Sequence, residues 1–384
     1  AETDAEPERL GSIPNAGGGD AGDVDRAAER IASADEPVLV VGDLVARAGP
    51  DAVAAAGRLA DAGGMRVHGE FKASEVSFPT GHDGWFGRLP RDQELAAELL
   101  DTDTVVFVGV VSNTTTNPQE LEHVPPGATT VHVSNHAWEL GKNHVADVAV
   151  LGDPGAVMGR LADRLEERVS NEERAARTEA VTRTRERLEV ADAGADEDGS
   201  DPRASDARLA AAMHAVAPDA LVVAEAPTSA GALRDAWSFE PGQYTANRGG
   251  GLGYGLPAAI GTAIAERHRD DPHDVLALVG DGSYLYYPQS LYTAARYDVD
   301  LTVVVPDNRN YRILKDNTLR LFGGEESDYD FVGMDFDPPV DIPANAESHG
   351  ASGRLVEDPE EIEAAVAAAV AEPGPTVLDV LTHD

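Results

Sequence analysis

The chain contains no cysteine, which excludes disulfides and a thiol nucleophile. It has no run of about 20 apolar residues of the kind a membrane-spanning helix needs, and its start carries neither the basic residues nor the apolar stretch of a secretory signal. A cytoplasmic protein without a membrane partner is expected. Lysine is scarce, at Lys72, Lys142 and Lys315 alone, and 69 acidic residues against 30 lysines and arginines leave a net charge of −39 over 384 residues. That balance disfavours nucleic acid and anionic membranes as partners.

The acidity is spread over the whole length instead of being collected in a tail. Such a lysine-poor, acidic composition resembles that of proteins from extreme halophiles. Self-repulsion on this scale opposes a compact fold in dilute buffer, and molar salt, with a Debye length of about 3 Å, screens it. A basic partner protein and simple solubility are the competing readings.

The most informative stretch is GDGSYLYYPQSLYTAARYDVDLTVVVPDNRN, residues 280–310. VLALV (275–279) and LTVVV (301–305) read as buried parallel strands, because they are short, apolar and β-rich. Residues 288–297 between them carry apolar and aromatic side chains at helical spacing, with Pro288 in the first turn. Asp281 and Asn308 therefore fall just past the carboxyl ends of two strands. If the strands are neighbours, one magnesium ion can reach the Asp281 carboxylate, the Asn308 side-chain oxygen and the backbone carbonyl of Asn310, with diphosphate oxygens and water completing six ligands. Gly280 and Gly282 allow the chain to turn and approach phosphates, and Ser283 can donate to them. Alone, an Asp-Gly pair marks no more than a turn.

Upstream, NRGGGLGYGLPAAIGTAIA (247–265) joins a glycine cluster to a small-residue helix. In order, GGGLGYGLPAAIG, GDGS and DNRN resemble the thiamine diphosphate-dependent enzymes, in the branch of benzoylformate decarboxylase, acetolactate synthase and pyruvate decarboxylase. The resemblance implies that Asp281, Asn308 and the Asn310 carbonyl hold magnesium, and that Gly280, Gly282, Ser283 and Tyr311 surround the diphosphate. It implies further that the Gly250 carbonyl meets the aminopyrimidine and that Leu252 is the apolar wedge holding the cofactor bent. Thr228, in AEAPTSAGA, falls near another phosphate-contacting position, where an ordinary loop threonine is an equal reading.

Before this domain, PVLVVGD (37–43), DTVVFVG (103–109), VHVSN (131–135) and ADVAVLGDP (146–154) read as strands, with a helix over 52–62. Their order looks like the family's central domain. FPTGHDGWFGRLP (78–90) resembles the loop that delivers a histidine to the active site of benzoylformate decarboxylase, and His82 stands there, suited to relaying protons. A loop histidine bonded to backbone or solvent is the alternative. His68, His132, His136, His144 and His349 show no metal-ligand spacing.

The expected fold is α/β, with two doubly wound parallel-sheet domains joined by an acidic linker. Residues 1–28 read as an acidic, glycine-rich linker, 29–165 as the central domain, 166–203 as a charged helix plus acidic linker, and 204–384 as the diphosphate-binding domain. The resemblance implies a pyrimidine-binding domain ahead of the central one, whose glutamate activates the cofactor; residues 1–28 read as linker, so that domain is expected from a longer chain or a partner. Glu70, Glu225 and Glu266 lie in no matching context.

The resemblance thus implies thiamine diphosphate and magnesium as cofactors and a 2-oxo acid substrate. Decarboxylation gives an aldehyde, and carboligation joins the fragment to a second carbonyl. A homo-oligomer is expected, with the pyrimidine-binding domain brought by a longer chain or by a partner. A flavin in the central domain, as the acetolactate synthases carry, stays open, with no motif calling for one. Two other readings stand beside this one: a catalytically silent cofactor-binding or structural component, and an unrelated nucleotide-binding α/β protein.

Overall fold

The computed structural model describes residues 17–90, 92–111, 122–192 and 201–383. The chain forms two compact units. The first takes the chain up to Lys72 and again from His82 to Arg187, and the second takes Ala73–Gly81 and Leu188–Asp384.

In the first unit six parallel strands lie in the order β3-β2-β1-β4-β5-β6: β1 (Val38–Val41), β2 (Arg66–Gly69), β3 (Trp85–Arg88), β4 (Thr104–Val108), β5 (Thr129–Ser134) and β6 (Val148–Leu151). Order reverses between β1 and β4, where doubly wound sheets open a crevice at their carboxyl ends. Here the crevice holds a side chain. Glu70, buried after β2, accepts from the backbone amides of Asp43 and Val111, each at 3.0 Å.

Residues 21–28, expected to be linker, instead belong to the helix Ala21–Ala32, which buries Val24, Ala27, Ala28 and Ile31. Asp20 caps it by accepting from Gly22 and Asp23. Its acidic residues, which with the glycines make this segment read as linker, fall beside the buried positions. The charged run expected from 166 onward is divided as well. One helix, Pro154–Arg168, ends, and a second, Asn171–Asp192, starts at a reciprocal cap between Ser170 and Glu173. Arginines attach the second helix to the first unit. Arg177 donates to the carbonyls of Ala32 and Gly63, and Arg185 to those of Asp83 and Trp85. Of the expected acidic linker, 193–200 lies outside the described residues.

The second unit has six parallel strands in the order β11-β12-β10-β9-β7-β8: β7 (Leu221–Glu225), β8 (Tyr244–Ala246), β9 (Val275–Val279), β10 (Leu301–Asp307), β11 (Ser352–Val356) and β12 (Pro375–Leu381). Alternate residues of the central strands enter two separate cores. Leu276, Leu278 and Val304 pack in one, and Val275, Ala277, Val279, Val303 and Val305 in the other. Both faces are covered, which is why these strands are apolar throughout. Residues 73–81 join this unit through a bridge between Glu75 and Thr245 and a hydrogen bond from Thr80 to the Phe239 carbonyl. The expected helix over 288–297 is a 3-10 turn, Pro288–Ser290, followed by the helix Leu291–Arg296.

Among the described residues no helix is long and apolar enough to cross a membrane.

Candidate cofactor and metal site

In the second unit the strand order reverses between β7 and β9, and a cleft of about 390 Å³ opens at their carboxyl ends. Thr228, Leu252, Gly280, Asp281, Gly282, Ser283, Asn308, Asn310 and Tyr311 all line it. Gly250 lies on the same glycine loop as Leu252, in a left-handed conformation (φ 76°), and donates to Asn247 Oδ1 at 3.1 Å.

Asp281 begins a single helical turn, Asp281–Tyr284, immediately after β9. Its Oδ1 accepts from the Gly282 amide at 2.7 Å, whereas Oδ2 is buried with no donor. Asn308 follows β10, the direct neighbour of β9, and its Oδ1 accepts from the Asn310 amide at 3.2 Å. The loop folds tightly there because Arg309 takes a left-handed conformation (φ 62°), with its amide donating to Asp307 at 2.9 Å. Gly282 has a steric reason: a Cβ there would lie 2.3 Å from Tyr311 Cε1. The Tyr311 ring is backed edge-on by Phe336.

Three buried carboxyls underlie this corner. Asp307 ends β10 and Asp379 lies on the adjacent β12, and both are as buried as Asp281. Burial, and then the hydrogen bond and charge of Asp307, push Asp281 well above the usual carboxylate range, and the same causes push Asp379 up. Desolvated carboxyls with an unsatisfied oxygen suit a hard divalent cation, which would replace the proton on Asp281. Among the described residues no cluster of three or more His, Asp or Glu side chains forms a metal cage. The expected donor set is instead one carboxylate, one side-chain amide oxygen and one backbone carbonyl, from Asp281, Asn308 and Asn310, all of which line the cleft. It fits magnesium shared with a diphosphate.

Glu225, set aside on sequence, organises the other wall. From the end of β7 its carboxylate accepts from the amides of Gly253 (3.1 Å), Tyr254 (3.1 Å) and Gly255 (2.8 Å) and from the Asn247 side chain (2.7 Å). It caps the helix Gly255–Glu266 and shapes the loop carrying Gly250 and Leu252. Its signal in the sequence was a carboxylate closing an apolar strand ahead of a glycine-rich helix start.

His82 belongs to the first unit. Its Nδ1 accepts from the Gly84 amide at 2.8 Å, which places the ring proton on Nε2, 3.1 Å from Asp61. Of the other histidines, His68 and His132 are buried, and burial lowers them to about 3 and about 4.

Two family models match this chain: the thiamine pyrophosphate enzyme central domain over residues 24–161, and the thiamine pyrophosphate enzyme C-terminal TPP binding domain over 228–380. The chain belongs to the thiamine pyrophosphate enzyme family. Most of the cleft lining and the three residues expected to bind metal lie within the span of the TPP binding domain. Among curated relatives, benzoylformate decarboxylase from Pseudomonas aeruginosa is 30% identical over 360 residues, 92% of this chain and 62% of the relative. The acetolactate synthase large subunit from Parasynechococcus marenigrum is 30% identical over 268 residues, 68% of this chain and 40% of the relative. Among solved structures, the thiamine diphosphate-dependent 4-hydroxybenzoylformate decarboxylase of Rhodococcus jostii RHA1 superposes with a TM-score of 0.80 at 26% identity, over 98% of this chain and 66% of that one. The chain therefore spans under two thirds of the length of these relatives.

Proposed function

We propose that this chain is the diphosphate- and metal-binding part of a thiamine diphosphate- and magnesium-dependent 2-oxo acid decarboxylase or carboligase. The observation that carries this reading is the corner formed by Asp281, Asn308 and Asn310, with a buried, donorless Asp281 oxygen beside a cleft at the sheet's switch point. When bound, thiamine diphosphate supplies the electron sink that allows a 2-oxo acid to lose carbon dioxide.

The chain's own residues bind and orient. Asp281, Asn308 and the Asn310 carbonyl hold the magnesium, and Gly280, Gly282, Ser283, Thr228 and Tyr311 surround the diphosphate. Leu252 is the apolar wedge, and the Gly250 carbonyl receives the aminopyrimidine. We assign His82 a proton-relay role, with Asp61 fixing the tautomer that leaves the proton on Nε2. The carboxylate that activates the cofactor is expected from a pyrimidine-binding domain, in a longer chain or in a partner. Glu225 is committed to loop amides, Glu70 to the Asp43 and Val111 amides, and Glu266 to His273. With Glu70 occupying the central domain's crevice, the proposal includes no flavin.

The substrate class is tested by measuring carbon dioxide release from aromatic and aliphatic 2-oxo acids, with aldehyde and ligated products resolved chromatographically. Aldehyde from benzoylformate supports the decarboxylase, to which the 78–90 loop inclines the reading. A ligated product from pyruvate supports the synthase. Turnover of neither, by protein that binds the cofactor and has its pyrimidine-domain partner, contradicts the proposal.

A further inference from the structure

The helix Arg312–Phe322 leaves the metal-ligand loop directly, and its buried residue is a lysine. Lys315 is 6% exposed in a chain that has almost no lysine. Burying an ammonium is costly unless an opposite charge meets it. Its Nζ donates to Asp335 Oδ1 at 2.6 Å and stands 3.6 Å from Glu326 and 5.6 Å from the centre of the Phe331 ring. All three partners lie on the excursion that follows the helix. Little apolar burial ties that excursion down, and Val332 within it is 82% exposed.

Asp335 is paired with Asn310 in a short antiparallel contact. The Tyr311 amide donates to the Met334 carbonyl at 2.8 Å, and the Phe336 amide donates to the Arg309 carbonyl at 2.8 Å. These two bonds flank the Asn310–Asp335 pair without using it. In such a non-hydrogen-bonded pair each residue's own amide and carbonyl point away from the opposite strand. The returning chain thus turns the Asn310 carbonyl outward from the ladder while holding the residues on either side of it.

We infer that Lys315 is a positioning residue for the metal, setting the Asn310 carbonyl through Asp335 and the 334–336 backbone. The inference rests on the proposed magnesium site. Arg312, bonded to Glu326 at 3.1 Å, ties the start of the same excursion. Lys315 differs in that its partner sits directly opposite the ligand residue.

The test is a titration of manganese, as a spectroscopic substitute for magnesium, into the full chain with excess thiamine diphosphate. Free manganese is read by electron paramagnetic resonance, and thermal unfolding is recorded in parallel. Lys315→Met is expected to weaken metal binding about tenfold, the scale of lost supporting contacts around a metal, and Lys315→Arg to recover most of it. Asp335→Ala removes the same tie from its exposed end and is expected to give the same shift. The double variant is expected to be no worse than either single one. Metal affinity unchanged in both single variants, or single effects that add, overturns the inference while leaving the wild-type site intact. Failure of wild-type protein to bind metal in the presence of thiamine diphosphate overturns the site reading and the inference together.

Discussion

Glu225 accepts the backbone amide of Gly255 at 2.8 Å, and through the same carboxylate the amides of Gly253 and Tyr254. One strand-end side chain therefore sets the glycine loop that carries Gly250 and Leu252. Glu225→Ala leaves buried amides without acceptors and is expected to cost about 2–4 kcal/mol of stability. Glu225→Gln keeps the shape and is expected to cost about half as much. Urea unfolding checks the stabilities, and cofactor titration of the folded variants is expected to show weakened binding in both.

Gly282 meets the Tyr311 ring so closely that a methyl group there displaces the ring. Gly282→Ala is expected to cost about 1–3 kcal/mol as an overpacked contact and to weaken cofactor binding, because Tyr311 lines the cleft. Adding Tyr311→Ala makes room for the methyl group. Stability is then expected to recover relative to the sum of the single effects, as a double-mutant cycle by chemical unfolding will show.

His68 and His132 give the first unit a pH dependence with a defined sign. Unfolded imidazoles take up a proton below about 6.5, whereas the buried ones stay neutral down to about 3 and about 4. The unfolded state therefore binds more protons across that window. The contribution of each histidine is fully present above about 6.5 and falls with acidification by up to about 1.4 kcal/mol per pH unit. Asp281 and Asp379 act with the opposite sign. Raised well above 3.8 by burial and by Asp307, they contribute stability that is present below 3.8 and lost as pH rises through their raised values. The difference between wild type and His68→Phe, followed by unfolding from pH 7 to pH 4.5, isolates the histidine. It is expected to shrink as pH falls, and a constant difference contradicts the assignment.

His82→Ala is expected to lower 2-oxo acid turnover about a hundredfold, the range of a lost acid–base group, with cofactor affinity unchanged. Asp61→Asn is expected to have a smaller effect, because it keeps a hydrogen-bond acceptor for Nε2. Equal turnover in all three proteins reduces His82 to a loop residue held by Gly84 and Asp61.

Much of this arrangement was legible in the sequence wherever side-chain chemistry and strand periodicity agreed. VLALV and LTVVV face two cores and so read as apolar runs, and the strand ends put Asp281 and Asn308 just past two strands, whose adjacency the structure supplies. Legibility failed where tertiary contacts override local signals. The strand β2 contains Arg66 and His68, polar residues kept inside by burial and, for Arg66, by donation to the Leu99 carbonyl. The edge strand β11 is largely exposed and carries little pattern. The helix Ala21–Ala32 hid behind its charged outer face. Local sequence assigned Asp307, Asp379 and Lys315 no role. Only the pairing of β10 with β12, and the return of residues 334–336 onto the ligand loop, gives them a place at the site.

The most direct measurement is calorimetric titration of thiamine diphosphate into the folded chain in multimolar potassium chloride, with magnesium, without it, and with Asp281→Ala. The expected result is saturable binding that requires magnesium and is abolished by the substitution. Binding that ignores magnesium, or survives Asp281→Ala unchanged, contradicts the assignment of Asp281, Asn308 and Asn310 as the metal corner of the diphosphate site.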